Sequence, residues 1–435
     1  MFRFLMALRL SASNTAAGFK NWPAVMVLMF AGPSLASIET QISLQTAIEK
    51  TLANNPQLQV YGYRERALQG ALQKASLRPA LALETELENV AGTGRVSGLG
   101  GAELTVALSS IIELGDKRSA RISVANAGRD QLQVQRQMQA LDLMAAVTRA
   151  YIDVLATQER LIVARDAQQL AKVTLRSIKE RVAAGATPEA ELSRAKVSLL
   201  QAELAVKREK SRLQQSRVML ATFWGEREPG FLGVEGSLYQ FGDSDDFDAL
   251  YRRIQRNPYI HQFASEQRLR EAQLRFAQTQ ARADIDWSLG VRRLQIRSDT
   301  ALTMAFSMPL FTGKRSSGDV TAAREALGEV AVRRQAEDTR LYTRLYSAYS
   351  NRQQAMEAAT SLQSNIIPTL SAAYDSTRAA YERGRYRYLE WVSARQELIG
   401  ARLNLIDTAA AVLRYGADIE QLTAEPLQAQ PGMRK

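Results

Sequence analysis

Leu192, Ala195, Leu199, Ala202 and Val206 stand three and four residues apart, and Leu213, Leu220 and Phe223 extend the series. Such spacing holds one face of a helix against a neighbouring helix. The stretch before it reads alike, with Leu141, Met144, Tyr151, Leu155 and Ile162. No proline falls between Pro79 and Pro188, and from Asp116 to Ala184 the only glycine is Gly128. The pattern therefore predicts a single helix from about Gly115 to Arg181, built from good or tolerable helix formers. Some 65 residues at about 1.5 Å each would make a helix about 100 Å long, against a mean of about 11–12 residues in globular domains. Charged side chains recur every few positions, which excludes a lipid span. A long, water-exposed helical stalk remains.

The design occurs twice. Trp391, Ala394, Leu398, Ala401, Leu405, Val412, Ile419 and Leu422 each lie 199 positions after their counterparts in the first seam. Asn55-Pro56 and Asn257-Pro258 open the two copies, and Gly115-Asp-Lys117-Arg118-Ser119 is echoed by Gly313-Lys314-Arg315-Ser316. A period near 200 residues is too long for an ordinary solenoid. The chain reads as one structure made of two similar halves, 37–224 and 246–423, joined by a connector over 225–245 rich in Gly, acids and aromatics. Asp246 is placed to cap the helix that follows.

Inside each half the period changes to two. Leu81, Leu83, Thr85 and Leu87 alternate with Ala82, Glu84, Glu86 and Glu88; after a Gly-rich turn, Leu104, Val106 and Leu108 alternate with Glu103, Thr105 and Ser109. The second half repeats this, with Ile285, Trp287, Leu289 and Val291, then a turn near Ser298, then Leu302, Met304, Phe306, Met308 and Leu310. These runs predict strands over about 81–90, 102–111, 284–296 and 300–311. Strands of about 10 residues with one apolar and one polar side suit a membrane β-barrel with a wet lumen, and equally a hairpin on a soluble core. Four strands do not close a barrel, since the smallest use about eight, so a barrel here requires several subunits.

Composition narrows the picture. Residues 1–36 carry Arg3, Arg9 and Lys20, no acid, an apolar run from Pro23 to Ala31, and Ser34-Leu35-Ala36 as a small-residue cleavage site. That is an export signal, with cleavage after Ala36. The tail over 424–435, with Pro426, Pro431 and Gly432, is expected to be disordered. A net charge of +11 with no basic block interleaved with aromatics reads as solvated helix faces, not as a nucleic-acid surface. The chain has no cysteine, which removes disulfides, thiol catalysis, cysteine metal sites and lipidation through an N-terminal Cys.

Chemistry is conspicuously missing. His261, the only histidine, sits on an amphipathic helix and has no nucleophile to serve. Met308 stands where a phosphate loop ending at Gly313-Lys314 needs its first glycine. Asp248 stands where a calcium loop starting at Asp243 needs glycine. No enzyme and no cofactor are expected.

Taken together, the leader, the duplicated helix–hairpin–helix plan and the two-faced strands resemble the TolC-type outer-membrane efflux proteins, over residues 40 to 423. Carrying the resemblance are Asn55-Pro56, Glu113-Leu114-Gly115-Asp-Lys117-Arg118, Arg181-Val-Ala-Ala-Gly185-Ala-Thr-Pro188-Glu, Pro309-Leu310-Phe311-Thr-Gly313-Lys314-Arg315 and Tyr381-Glu-Arg-Gly384. The stretch around Gly115 looks most like the branch serving heavy-metal pumps, in which Gly often stands where Asp116 is. The resemblance implies a mainly α fold with a β-barrel portion: a homotrimer in outer-membrane lipid, four strands per subunit in a twelve-stranded barrel, and long antiparallel coiled helices forming a periplasmic tube. It further implies a periplasmic adaptor and an inner-membrane RND-type pump as partners.

In the resemblance, Gly185 and Gly384 are the tips of two helical hairpins, and Ala184, Gly185, Ala186, Arg383, Gly384 and Arg385 face the adaptor. A tight helix–helix turn often needs a left-handed residue, which suits glycine; Thr187-Pro188 then restarts the helix, Thr as cap and Pro in the first turn. Tyr381 matches a family tyrosine that bonds the first hairpin's acid, here Glu191. Glu390 matches a lumen-facing acid whose three copies would form a ring selecting cations, while Ser393 stands where the family has a second acid. Glu191 and Glu390 read equally as solvated helix residues. The expected function is a passive exit duct for pump substrates, divalent heavy-metal cations foremost; a drug-efflux or type I secretion duct, or a periplasmic coiled-coil scaffold, are the alternatives.

Overall fold

The computed structural model describes residues 39–242 and 245–426, so the leader and residues 427–435 lie outside the described residues. Nine helices and six strands occupy the described chain: β1 (Glu39–Ile42), α1 (Leu44–Asn54), α2 (Pro56–Ser76), β2 (Ala82–Glu88), β3 (Glu103–Ile112), α3 (Lys117–Ala183), α4 (Glu189–Thr222), β4 (Phe231–Val234), α5 (Phe247–Ile254), α6 (Pro258–Gln280), β5 (Ile285–Leu294), β6 (Asp299–Ser307), α7 (Thr312–Ser361), α8 (Ile367–Glu382) and α9 (Tyr388–Thr423). They fall into two compact units that do not coincide with the sequence halves. Among the described residues, one holds the stretch up to Leu58, Gln139–Asn257 and the stretch from Leu341 on; the other holds Gln59–Met138 and Pro258–Arg340. Each unit draws on both halves, because the long helices α3 and α7 pass out of one unit into the other.

In the second unit the two hairpins join into one antiparallel sheet of order β2-β3-β5-β6. The joint is the ladder between β3 and β5, running from Glu103↔Leu294 to Ile112↔Ile285. With this register one face collects Leu83, Leu87, Leu104, Val106, Leu108, Leu289, Val291, Leu302, Met304 and Phe306, all 40–73% exposed. The opposite face is polar. Arg292 reaches Glu88 at 3.2 Å, Glu103 at 3.3 Å and Thr105 at 2.9 Å, and Ser109 donates to Glu84 at 2.6 Å. The strand β6 stops at Ser307, short of the span its alternation predicts, because Pro309 offers no N–H to a ladder. At this same end of the sheet Glu113 pairs with Arg121, and Lys117, buried, reaches Asp284 at 2.7 Å. Asp116 there adopts φ 61°, the backbone that explains why glycine suits this position.

The first unit is built around α3, α4 and α9. Arg149–Asp418, Arg160–Asp407 and Arg414–Asp153 tie α3 to α9 in antiparallel register, over a core of Val147, Tyr151, Val154, Leu220, Trp224, Ile406 and Ala409. Both predicted seams on α4 and α9 are buried or half-buried. On α3 the predicted seam departs at Ile162, 48% exposed, its place taken by buried Leu161; a straight helix drifts about 20° per heptad, and the seam slips by one position. The connector over 225–245 contributes to this core. It contains β4, paired in parallel with β1, and buries Phe231, Val234 and Leu238. Gln158 and Tyr151 of α3 bind the pair from beside it, the Tyr151 hydroxyl lying 3.0 Å from Ile42 O and 2.5 Å from Glu235 O.

The duplicated asparagines do the same work twice. Asn55 Nδ2 donates to Phe223 O at 2.8 Å, and Asn257 Nδ2 donates to Leu422 O at 2.7 Å and Gln421 O at 2.9 Å. Each thus satisfies carbonyls orphaned at the end of a returning helix. Residues 424–426, assigned above to a disordered tail, are engaged: Thr423 Oγ1 donates to Glu425 O, and Glu425 pairs with Arg253 at 3.3 Å. A π-turn over Leu362–Ile366 links α7 to α8, one residue before the chain meets Pro368; the wider turn accommodates a ring that would clash with a regular ladder.

Candidate functional site at the hairpin tips

Both tips close with the same device. Gly185 (φ 71°) and Gly384 (φ 74°) are left-handed. At the first, Ala186 N donates to Arg181 O and Gly185 N to Val182 O; at the second, Arg385 N donates to Ala380 O and Gly384 N to Tyr381 O. These are paired Schellman motifs, in which a glycine avoids the Cβ clash of the left-handed region. The return differs from expectation. Pro188, not Thr187, is the N-cap of α4, and its hydrocarbon ring has no acceptor to offer as a side-chain cap; the Thr187 hydroxyl instead accepts from Arg181 Nε at 3.4 Å.

Behind the tips lies a core of Ile178, Ala195, Tyr374, Tyr381, Tyr388, Trp391 and Leu398. Tyr381 is its hub. The ring stacks on Trp391 at 5.1 Å and meets Tyr388 edge-on at 6.5 Å, and the Arg181 guanidinium sits over it at 5.1 Å. Its hydroxyl donates to Glu191 Oε2 at 3.5 Å, the outer limit for such a bond,. Burial pushes the Tyr381 phenol above its ordinary value; the Glu191 charge adds to this, while the Thr187 hydroxyl and Arg181 act the other way. Burial likewise raises Tyr388. The phenol of Tyr381 is therefore a neutral donor at neutral pH, as a bond to a carboxylate needs.

Arg181 also donates from Nη1 to Glu382 O at 3.1 Å, so one side chain joins the two hairpins. Sequence reasoning gave this residue, Tyr388 and Arg395 no role at the tips, and read Thr187 only as a cap. The visible signal was the heptad step from Tyr381 to Tyr388 across Gly384. Arg395, buried, donates to Ser198 Oγ at 2.6 Å, but its Nη1 and Trp391 Nε1 have no partner among the described residues.

Of the other predicted residues, Glu390 and Ser393 are exposed on the first turns of α9 and are not brought to the Tyr381–Glu191 pair. The Ser393 hydroxyl turns to Glu397 at 3.4 Å. Ala184, Gly185, Ala186, Arg383, Gly384 and Arg385 are all exposed. Among the described residues no group of three or more His, Asp or Glu side chains is gathered to hold a metal ion, and His261 is exposed on α6.

Residues 47–226 and 249–425 match the family model described as outer membrane efflux protein. The chain is 23% identical over 381 residues to the cobalt-zinc-cadmium resistance protein CzcC of Cupriavidus metallidurans, covering 88% of this chain and 90% of that one. Its fold is similar to that of the solved channel CusC, with a TM-score of 0.72 at 15% identity over 94% of this chain and 99% of that one. It is also similar to the open-state outer membrane channel MtrE of Neisseria gonorrhoeae, at 0.71, 17% identity, 95% and 99%.

Proposed function

Because the chain belongs to the outer membrane efflux protein family, and is thus a channel and not an enzyme, we propose that it is the passive exit duct of a tripartite assembly that expels divalent heavy-metal cations. A homotrimer closes the barrel, a periplasmic adaptor meets the hairpin tips, and an inner-membrane RND-type pump drives the cargo. The observation that carries this reading is the β2-β3-β5-β6 sheet. Its apolar face exposes Leu, Val, Met and Phe side chains from all four strands, its other face carries Glu, Ser, Thr and Arg, and β2 and β6 are left as unpaired edges. An exposed apolar sheet with open edges is an aggregation hazard in water. Three copies joined edge to edge give twelve strands with no edge, lipid outside and water within.

The tips supply the gate. Tyr381 donating to Glu191, with Arg181 bridging the hairpins, latches the resting state; the long bond and the unpartnered buried nitrogens nearby mark a weakly held, movable element. Glu390 lines the lumen, and three copies draw cations. Support for metal cargo comes from the similarity to CzcC and from the Glu113-Leu-Gly-Asp-Lys-Arg118 stretch.

The test is reconstitution of the purified full chain in a planar bilayer. The expected result is a cation-preferring pore whose reversal potential moves towards zero in Glu390→Gln. An unchanged reversal potential removes Glu390 from the lumen, and a protein that extracts without detergent and makes no pore is a scaffold.

A further inference from the structure

Phe311 breaks three local rules at once. It is a bulky aromatic at φ 60°, a region that such side chains rarely enter. It is also 83% exposed, the most exposed large hydrophobic side chain among those described, so no packing within the chain offsets that conformation. And it opens a helix whose first turn carries Lys314 and Arg315, both exposed, and no acidic residue; cations at a helix N-terminus oppose its dipole. The turn is held firmly: Thr312 Oγ1 donates to Ala281 O at 2.7 Å and Ser316 Oγ to Gln280 O at 3.3 Å. In the first sequence copy, the corresponding left-handed turn uses Gly115 and Asp116 instead. Local conflicts that survive in a well-held turn point to a use elsewhere.

One environment resolves all three. Met308 and Leu310 carry the period-two apolar face of β6 past the end of the ladder, Leu310 being 66% exposed, and Phe311 lies at its limit. A layer apolar on one side and anionic on the other would bury the ring and neutralise the two cations. The boundary between acyl chains and phosphates of a phospholipid leaflet is such a layer, and aromatic and basic residues favour it. We propose that Phe311, Lys314 and Arg315 form an interfacial anchor. The ring is clamped at the glycerol level, the cations meet lipid phosphates, and together they fix the depth at which the barrel sits. The proposal rests on the duct reading above.

The chain has no cysteine, so Phe311→Cys introduces a single thiol for a spin label. The full chain is reconstituted in vesicles of phosphatidylethanolamine and phosphatidylglycerol, and collision with dioxygen is compared with collision with a water-soluble nickel chelate. Leu289→Cys on the apolar sheet face and Arg387→Cys beyond the second tip are the lipid and water references. The expected ratio at Phe311 lies several-fold above Arg387 and below Leu289. A Phe311 label as open to nickel as Arg387, with Leu289 in lipid, overturns the anchor and leaves the duct. A Phe311 label shielded from both reagents means that another copy covers the ring, and also overturns it. If Leu289 is itself aqueous, the duct reading fails and the anchor with it. Should Phe311→Cys not assemble, Leu310→Cys reads the same layer.

Discussion

Tyr381 is the side chain on which the proposed latch turns. It was legible as a candidate through the family resemblance, which places a tyrosine three residues before Gly384, but its surroundings were not. Arg181 above the ring, Trp391 beneath it and Thr187 beside the hydroxyl come from three other segments. A bond to a carboxylate at the 3.5 Å limit of length, contributes about 1 kcal/mol, below the usual range for charged acceptors, so Tyr381→Phe is expected to raise spontaneous opening in a bilayer by about fivefold with conductance unchanged. Closed-state lifetimes equal to those of the parent would remove the latch. The same argument gives a pH dependence. The folded phenol holds its proton more tightly than an ordinary tyrosine, so its contribution is complete below about pH 10 and is lost as pH rises through the raised value. Opening should increase on that alkaline limb in the parent and stay flat in Tyr381→Phe.

Among the elements, the ends matter more than the middles. The long helices follow from their periodicity, but what fixes where each returning helix ends is a buried asparagine some 165 residues away. Asn257→Ala leaves the carbonyls of Gln421 and Leu422 without their donor in a fully buried site, at a cost of about 1–3 kcal/mol. Asn55→Ala should cost similarly through Phe223. Thermal unfolding in detergent checks both, and midpoints within a degree of the parent would show that neither cap is used. The strands tell a complementary story. Alternation predicts β2, β3, β5 and β6 and their two faces, while the ladder of β3 on β5 had no signature of its own.

For the whole molecule the question is cargo. A duct need not bind what it carries; in the proposed assembly the pump and weak lumen electrostatics would supply the selectivity. The decisive observation is the tolerance of a deletion strain to metal ions and to unrelated drugs. Selective sensitivity to cobalt, zinc or cadmium, restored by the parent gene, is the expected outcome. Sensitivity to drugs or detergents alone would keep the duct and discard the metal reading.

Periodicity, the 199-residue echo and the glycines at the turns are local properties, set by backbone sterics and by which face a side chain occupies. They were enough for the helices, the strands, the two tips and the family resemblance. Pairing between distant segments carries no such mark. Only the folded chain shows β1 lying along β4 inside what reads as a connector, Leu161 replacing Ile162 in the seam, Thr187 drawn to Arg181 in place of capping, and Phe311 held out in the open. Each is settled by what another part of the chain places beside it. Where burial and partners from afar compete with a local preference, it is the packing that decides.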